Sequence, residues 1–189
     1  MCQKNKTIIV FLGPSGSGKS KLGDELRNYN IPKLVSDTSR KIRINDSEKD
    51  GVNYHFKSKE EILSSEMVEF TEYDGEIYGL SFREVQEKLN DFDTVYAITE
   101  INGVKSLRKK FENKLNIKVI FLKISPKTSR ERMRLRGDSE ETINRRLRNA
   151  EINNEYDNYK YADYIIDNDG SFEESKKKLL EIVLNKSIL

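Results

Sequence analysis

The chain has 189 residues, 35% charged and 35% hydrophobic, a length that fits one domain with a buried hydrophobic centre and excludes a modular protein. Its 34 Lys and Arg stand against 32 Asp and Glu, so the net charge of +2 gives no global basic field for nucleic acid or membrane, and any positive site has to come from local clustering. The single Cys2 cannot form an internal disulfide, no secretory apolar stretch follows Met1 and no apolar run reaches membrane-spanning length, so a cytoplasmic protein is expected.

The first element is the apolar run Thr7-Ile8-Ile9-Val10-Phe11-Leu12, which reads as a buried strand and runs straight into Gly13-Pro14-Ser15-Gly16-Ser17-Gly18-Lys19-Ser20. This octapeptide satisfies G-x-x-x-x-G-K-[ST]. Small residues let successive backbone N–H groups turn inward as a phosphate cradle, and the helix patterned by Leu22 and Leu26 aims its positive end at the same place. Lys19 is placed to bridge the β- and γ-phosphates of a nucleoside triphosphate, and the Ser20 hydroxyl to hold Mg²⁺.

Residues 36–88 read as short polar strands and turns inserted between buried strands, with capping-box helix starts at Ser58 with Glu61 and at Ser81 with Glu84. Further strands are expected at 95–98 and 118–124. Ser125-Pro126 then opens a helical segment, 126–156, carrying Arg130, Arg132, Arg134, Arg136, Arg145, Arg146 and Arg148. A last strand at Tyr164–Asp167 and a capping pair, Ser171 with Glu174, close the pattern, and strands alternating with helices make an α/β protein with a parallel sheet. His55, with no Cys or second His for a metal site, reads as a strand-surface or packing residue; Tyr156, Tyr159, Tyr161 and Tyr164 read as packing, and 176–178 as a solvated lysine face.

The strings Val35-Ser36-Asp37-Thr38-Ser39-Arg40-Lys41-Ile42-Arg43, Asp50-Gly51-Val52-Asn53-Tyr54-His55-Phe56, Glu69-Phe70-Thr71-Glu72-Tyr73 and Tyr78-Gly79 follow one another in the insert. Later come Ile101-Asn102-Gly103-Val104-Lys105-Ser106-Leu107, the stretch from Arg136-Gly137-Asp138 to Arg145-Arg146-Leu147, and Ile165-Ile166-Asp167-Asn168-Asp169. In this order and spacing the chain resembles guanylate kinase, a P-loop nucleoside monophosphate kinase, from residue 7 to about 185. The resemblance implies a P-loop kinase fold with a central parallel sheet flanked by helices, built as a single domain over 1–189. Its core would be about 1–35, 89–125 and 157–189, with an acceptor-binding insert at about 36–88 and a helical lid at about 126–156.

It also implies phosphorylation of GMP or dGMP by ATP with Mg²⁺ on Ser20, small nucleotides as partners, and neither nucleic acid nor membrane. ATP would be held by Gly13, Pro14, Ser15, Gly16, Ser17, Gly18, Lys19, Ser20 and Asn168, and the acceptor by Ser36, Arg40, Arg43, Tyr54, Glu72, Tyr78, Ser81 and Glu100. Lys19, Arg43, Arg136 and Arg146 would carry catalysis. The chemistry matches: planar guanidinium forks suit an anionic phosphate, and guanidinium groups arriving on a lid stabilise charge on the transferring phosphoryl group. Glu72 would accept from guanine N1–H and N2–H₂ together, which adenine cannot offer. Arg130, Arg132 and Arg134 are expected to pair with Glu131, Glu140, Glu141 or solvent, and the interleaved acids disfavour an RNA-binding stripe.

Three departures from the family pattern stand out: Leu80 where Ser or Thr follows Tyr-Gly, Ile98 in place of an acid, and a 73–77 loop read as about three residues short. Leu80 and Ile98 leave open a kinase with another phosphorylated acceptor, such as ribose 1,5-bisphosphate; the reading from a different class is a non-catalytic module that binds phosphopeptides, against which the intact Gly18-Lys19-Ser20 stands.

Overall fold

Five consecutive residues of the first strand, Ile8 to Leu12, are at most 3% exposed, which is why that segment reads as an unbroken apolar run rather than an alternation. The computed structural model describes residues 6–42, 48–73 and 75–184. Arg43, expected in the site, lies outside the described residues. The strand, β1 (Thr7–Leu12), leads to α1 (Lys19–Glu25), and the insert follows with β2 (Asp37–Thr38), β3 (His55–Phe56), α2 (Lys59–Ser64), β4 (Met67–Tyr73), β5 (Glu76–Ser81) and α3 (Phe82–Asp91). Next come β6 (Thr94–Ile98), α4 (Ile101–Lys110), β7 (Asn116–Lys123), α5 (Pro126–Leu135), α6 (Glu140–Ile152), β8 (Tyr164–Asp167) and α7 (Phe172–Leu184).

The main sheet has the order β6-β1-β7-β8, with β7 and β8 parallel from Ile120 opposite Tyr164 to Lys123 opposite Asp167. It is the α/β architecture expected, a parallel sheet flanked by helices. Strand β7 starts two residues earlier than the apolar run because the Asn116 N–H reaches the Lys6 carbonyl at 2.9 Å. By internal contacts the chain forms two compact bodies, one holding the described parts of 1–8, 30–97 and 102–117, the other 9–29, 98–101 and 118–184.

In the first body a small sheet runs β3-β2-β5-β4, with β2 parallel to β3 and antiparallel to β5, and β4 and β5 forming a hairpin. Ser58 and Glu61 close the expected capping box on α2, each side chain bonding the other residue's backbone N–H. At α3 only half the box forms: the Ser81 hydroxyl accepts from the Glu84 N–H, and the Glu84 carboxylate goes elsewhere. Phe82 stacks on Phe111 at 5.2 Å, packing α3 near the end of α4.

In the second body Ser125 caps α5 ahead of Pro126, Ser139 caps α6, and the Ser171 hydroxyl accepts from the Glu174 N–H. Tyr159 stands edge-on to Phe121, the packing role its position gives it. Lys176 is not simply solvated: its ammonium pairs with Glu25 at 2.6 Å and ties α7 to α1. Among the described residues no helix is long and apolar enough to cross a membrane.

Candidate active site

The loop between β1 and α1 turns on glycines for a steric reason. Gly13 has φ +148° and a Cβ there would meet the Leu122 carbonyl oxygen at 2.7 Å; Gly18, at φ +91°, would put one 2.6 Å from the Asn168 amide. The loop is braced from outside itself. Ser129 Oγ on α5 donates to the Ser15 carbonyl at 2.6 Å, and Asn168 Nδ2, just past β8, donates to the Ser17 carbonyl at 2.7 Å. Asn168 is therefore fixed on the loop's backbone, with its Oδ1 and the Ser17 hydroxyl buried and unpartnered, polar atoms of the kind a bound polar ligand would satisfy.

Lys19 turns its ammonium back onto the loop, donating to the Gly13 carbonyl at 2.6 Å and the Pro14 carbonyl at 2.9 Å. Burial pushes its pKa down to about 8; Glu155 and Glu100 pull it up, while Arg136 and Arg146 add to the lowering. With its pKa lowered to about 8, the amine loses part of its charge in mildly alkaline solution and is poised to regain a proton when an anion arrives. ATP binding at pH 8 is therefore expected to draw in protons, read by calorimetry as a binding enthalpy that varies with the ionisation enthalpy of the buffer. Lys19→Met should abolish that variation; persistence in the variant would remove Lys19 as its source.

Ser20, exposed at the start of α1, offers one hard oxygen donor. Among the described residues no three His, Cys, Asp or Glu side chains gather to hold a metal. A single hydroxyl suits Mg²⁺, which keeps most of its waters and takes substrate phosphate oxygens as its other ligands.

Five arginines of residues 126–156 fall into three arrangements. Arg130 and Arg134 pair with Glu140, as expected of helix-surface charges. Arg132 does not: it donates to the Asn168 carbonyl at 2.7 Å, with its guanidinium next to Gly18, so it joins the loop rather than solvent. Arg136 and Arg146 converge on one carboxylate, Asp138, by a two-point contact from Arg136 and a 3.1 Å bond from Arg146. The Arg136 hydrogen bond first, and both positive charges, hold the Asp138 carboxyl below its usual range.

In the first body Arg40 is the centre of a second cluster. Its fork takes both oxygens of Glu48, at 2.7 and 3.0 Å, and its central carbon lies over Tyr54 and Phe56, 5.7 Å from each ring centre. The Glu48 hydrogen bond, and more weakly Tyr78, hold the Arg40 proton still more firmly against the opposing effect of burial. Tyr54 meets Tyr78 edge-on at 5.9 Å. The structure thus brings Arg40, Tyr54 and Tyr78 together, with Ser36 half-buried one residue before β2.

A match to the guanylate kinase family model spans residues 4–186. The chain belongs to the guanylate kinase family. The guanylate kinase of Rickettsia prowazekii (strain Madrid E) is 35% identical over 190 residues, covering 96% of this chain and 92% of that one. That of Prochlorococcus marinus subsp. pastoris is 34% identical over 185 residues, covering 94% and 97%. The crystal structure of guanylate kinase from Anaplasma phagocytophilum shares the fold, with a TM-score of 0.71 at 24% identity over 100% of this chain and 90% of that one.

Against the guanylate kinase pattern, the ladder separates two residues that the sequence groups together. Cross-strand partners share a face, and the register sets Glu72 opposite Ile77 and Thr71 opposite Tyr78. Glu72, exposed, is on the face opposite Tyr78. Two carboxylates share the Tyr78 face: Glu76, two residues before it on β5 and bonded by the Ser39 hydroxyl, and Glu69 of β4, opposite Leu80 and half-buried. Ser81 is 4% exposed and spends its hydroxyl on the α3 cap. Glu100 is exposed in the second body, within electrostatic reach of Lys19.

Sequence reasoning missed Glu48, Glu69, Asp138 and Glu155. Glu155, half-buried, has its carboxyl pushed up by burial and by Glu100, against the pull of Lys19. Only period-two alternation along β4 could have found Glu69, since it sits three residues from Glu72 and hence on the other face.

Proposed function

We propose that the chain transfers the γ-phosphoryl group of ATP to the phosphate of GMP, giving ADP and GDP. The observation that carries this reading is Lys19: an amine within one phosphate-loop body, sharing its electrostatic surroundings with the two lid arginines, in a chain of guanylate kinase descent. An oxygen of the acceptor phosphate attacks the γ-phosphorus in line, the bond from that phosphorus to the β–γ bridging oxygen breaks, and ADP leaves. No general base is required, because a phosphate monoester is already ionised near neutrality.

Lys19 exchanges its loop carbonyls for phosphate oxygens, and Arg136 and Arg146 leave Asp138 to meet the charge that spreads over the transferring group. Arg40, Tyr54, Tyr78 and Ser36 hold the acceptor phosphate; Arg43 is proposed beside them on the family pattern alone. Glu69, on the Tyr78 face of the hairpin, is proposed as the reader of guanine in place of Glu72. Asn168, through Nδ2, and Arg132 brace the loop that holds ATP, and Asn168 Oδ1 is left to meet the nucleotide. Mg²⁺, when bound, would sit on Ser20 and neutralise phosphate charge. The cytoplasm, reducing and supplied with nucleotides, is the compartment proposed.

ADP release with a panel of acceptors tests the reading. GMP and dGMP are expected well ahead of AMP, CMP, UMP and ribose 1,5-bisphosphate; a preference for the bisphosphate, or phosphopeptide binding without ATP turnover, would replace it.

A further inference from the structure

Glu84 is 6% exposed, yet both of its carboxylate oxygens are engaged, and neither bonds its own helix. Oε1 accepts from the Val35 N–H at 2.9 Å and Oε2 meets His55 Nε2 at 3.0 Å. A glutamate three residues after a helix-capping serine ordinarily returns to the cap's backbone. Here the Ser81 hydroxyl does its share, accepting from the Glu84 N–H, while the carboxylate crosses to two other segments. A buried carboxylate is costly unless both oxygens are partnered, so its two partners define what it is for.

Those partners flank the acceptor cluster. Val35 immediately precedes Ser36, and His55 immediately follows Tyr54, the two residues proposed to grip the acceptor phosphate from just ahead of β2 and β3. The pairing of β2 with β3 is two residues long, Asp37 opposite His55 and Thr38 opposite Phe56, with the His55 N–H donating to the Ser36 carbonyl at 2.9 Å. So short a ladder fixes its register weakly. Glu84 clamps it from the side, one oxygen on Val35 ahead of β2 and the other on His55, the first residue of β3.

We propose that Glu84, working through His55, is a positioning residue for the acceptor phosphate, and that the protonation of His55 tunes affinity for GMP. The proposal rests on the reading of the chain as a GMP-phosphorylating enzyme. His55 stands between two carboxylates and one ammonium: Glu84 on α3, the fully buried Asp37 on β2, and Lys57, which itself faces Asp37 at 2.9 Å; Lys88 bears on Glu84 from the next turn of α3. The Glu84 hydrogen bond raises the His55 pKa, opposed by burial and by Lys57 and assisted by Asp37. Burial alone would push the Glu84 carboxyl up, but the bonds from His55 and the Val35 N–H outweigh it and hold the group below its usual value. With a raised pKa, the imidazolium–carboxylate clamp is complete below the ordinary histidine range and loses its charge as pH rises through the elevated value.

The test measures KM for GMP and kcat at saturating ATP from pH 6 to 9 for the wild type, Glu84→Gln and His55→Gln. The ratio of variant to wild type cancels the ionisation of GMP itself. At pH 6.5 the KM of Glu84→Gln is expected about tenfold above wild type, with kcat nearly unchanged, and the two curves converge towards pH 9. His55→Gln, which keeps a neutral donor towards Glu84, should show a KM ratio that falls with pH in the same way. Parallel curves for the three proteins overturn the proposal, as does a loss of kcat and of thermal stability with no change confined to KM for GMP. A wild type without GMP turnover would overturn the enzymatic reading and the proposal with it, whereas an active wild type with indifferent variants overturns the proposal alone.

Discussion

Lys19→Met is expected to lower kcat by about a hundred- to a thousandfold, with GMP binding, followed by calorimetry, left intact. The substitution keeps the aliphatic stem and removes the ammonium, so the change is one of charge at the phosphates rather than of packing. The size follows from where the amine sits. Burial has already brought its pKa to about 8, which measures how little water shields it, and a charge in so poorly solvated a place acts strongly on another charge brought against it. The two carbonyls that now receive its protons belong to Gly13 and Pro14, and losing those bonds costs far less than losing a counter-charge to a transferring phosphoryl group. A variant within tenfold of the wild-type kcat would mean that the loop's backbone N–H groups and the lid arginines carry the transfer without it.

The second large effect concerns the purine. Glu69→Gln is expected to reduce kcat/KM for GMP by about ten- to a hundredfold, while Glu72→Gln changes it by less than about threefold. A carboxylate accepts two adjacent donors at once; an amide can accept only one and turns its own donor towards the other, so the substitution replaces attraction with a clash of hydrogens. The register of β4 against β5 decides which glutamate does this. Thr71 lies opposite Tyr78, so on β4 Thr71 and Glu69 look the same way as Tyr78, and Glu72 looks the other way with Ile77; Glu76 shares the Tyr78 face on β5 but takes the Ser39 hydroxyl. The acceptor panel run on both variants separates the cases: if Glu72→Gln is the damaging change, the base lies on the Ile77 face and the phosphate cluster around Arg40 has to be approached from there.

These two glutamates show where sequence ran short. The phosphate loop was readable because all of its chemistry lies in eight successive residues between a buried strand and a helix. The strands at Thr7–Leu12 and Tyr164–Asp167 fell on their apolar runs for the same local reason. Glu69 and Glu72 are both acids in a polar strand, and only pairing with a second strand tells them apart. Glu84 sat in a pattern that announces a helix cap, and half of that cap formed; what the other half did depended on Val35 and His55, 49 and 29 residues away. Arg132 was grouped with its neighbours by composition, although one turn of helix points it at Asn168 instead of at an acid.

The pairing of Asp138 with both Arg136 and Arg146 has a further consequence. Two guanidinium groups in a cell full of loose anions would otherwise collect whichever arrived first, whether inorganic phosphate, sulfate or the wrong metabolite. A resident carboxylate bound to both sets a threshold that a visitor must exceed, and a dense cluster of phosphate charge exceeds it more readily than any single small ion. Asp138 would thus set a floor on the charge density of any anion the two arginines accept in its place.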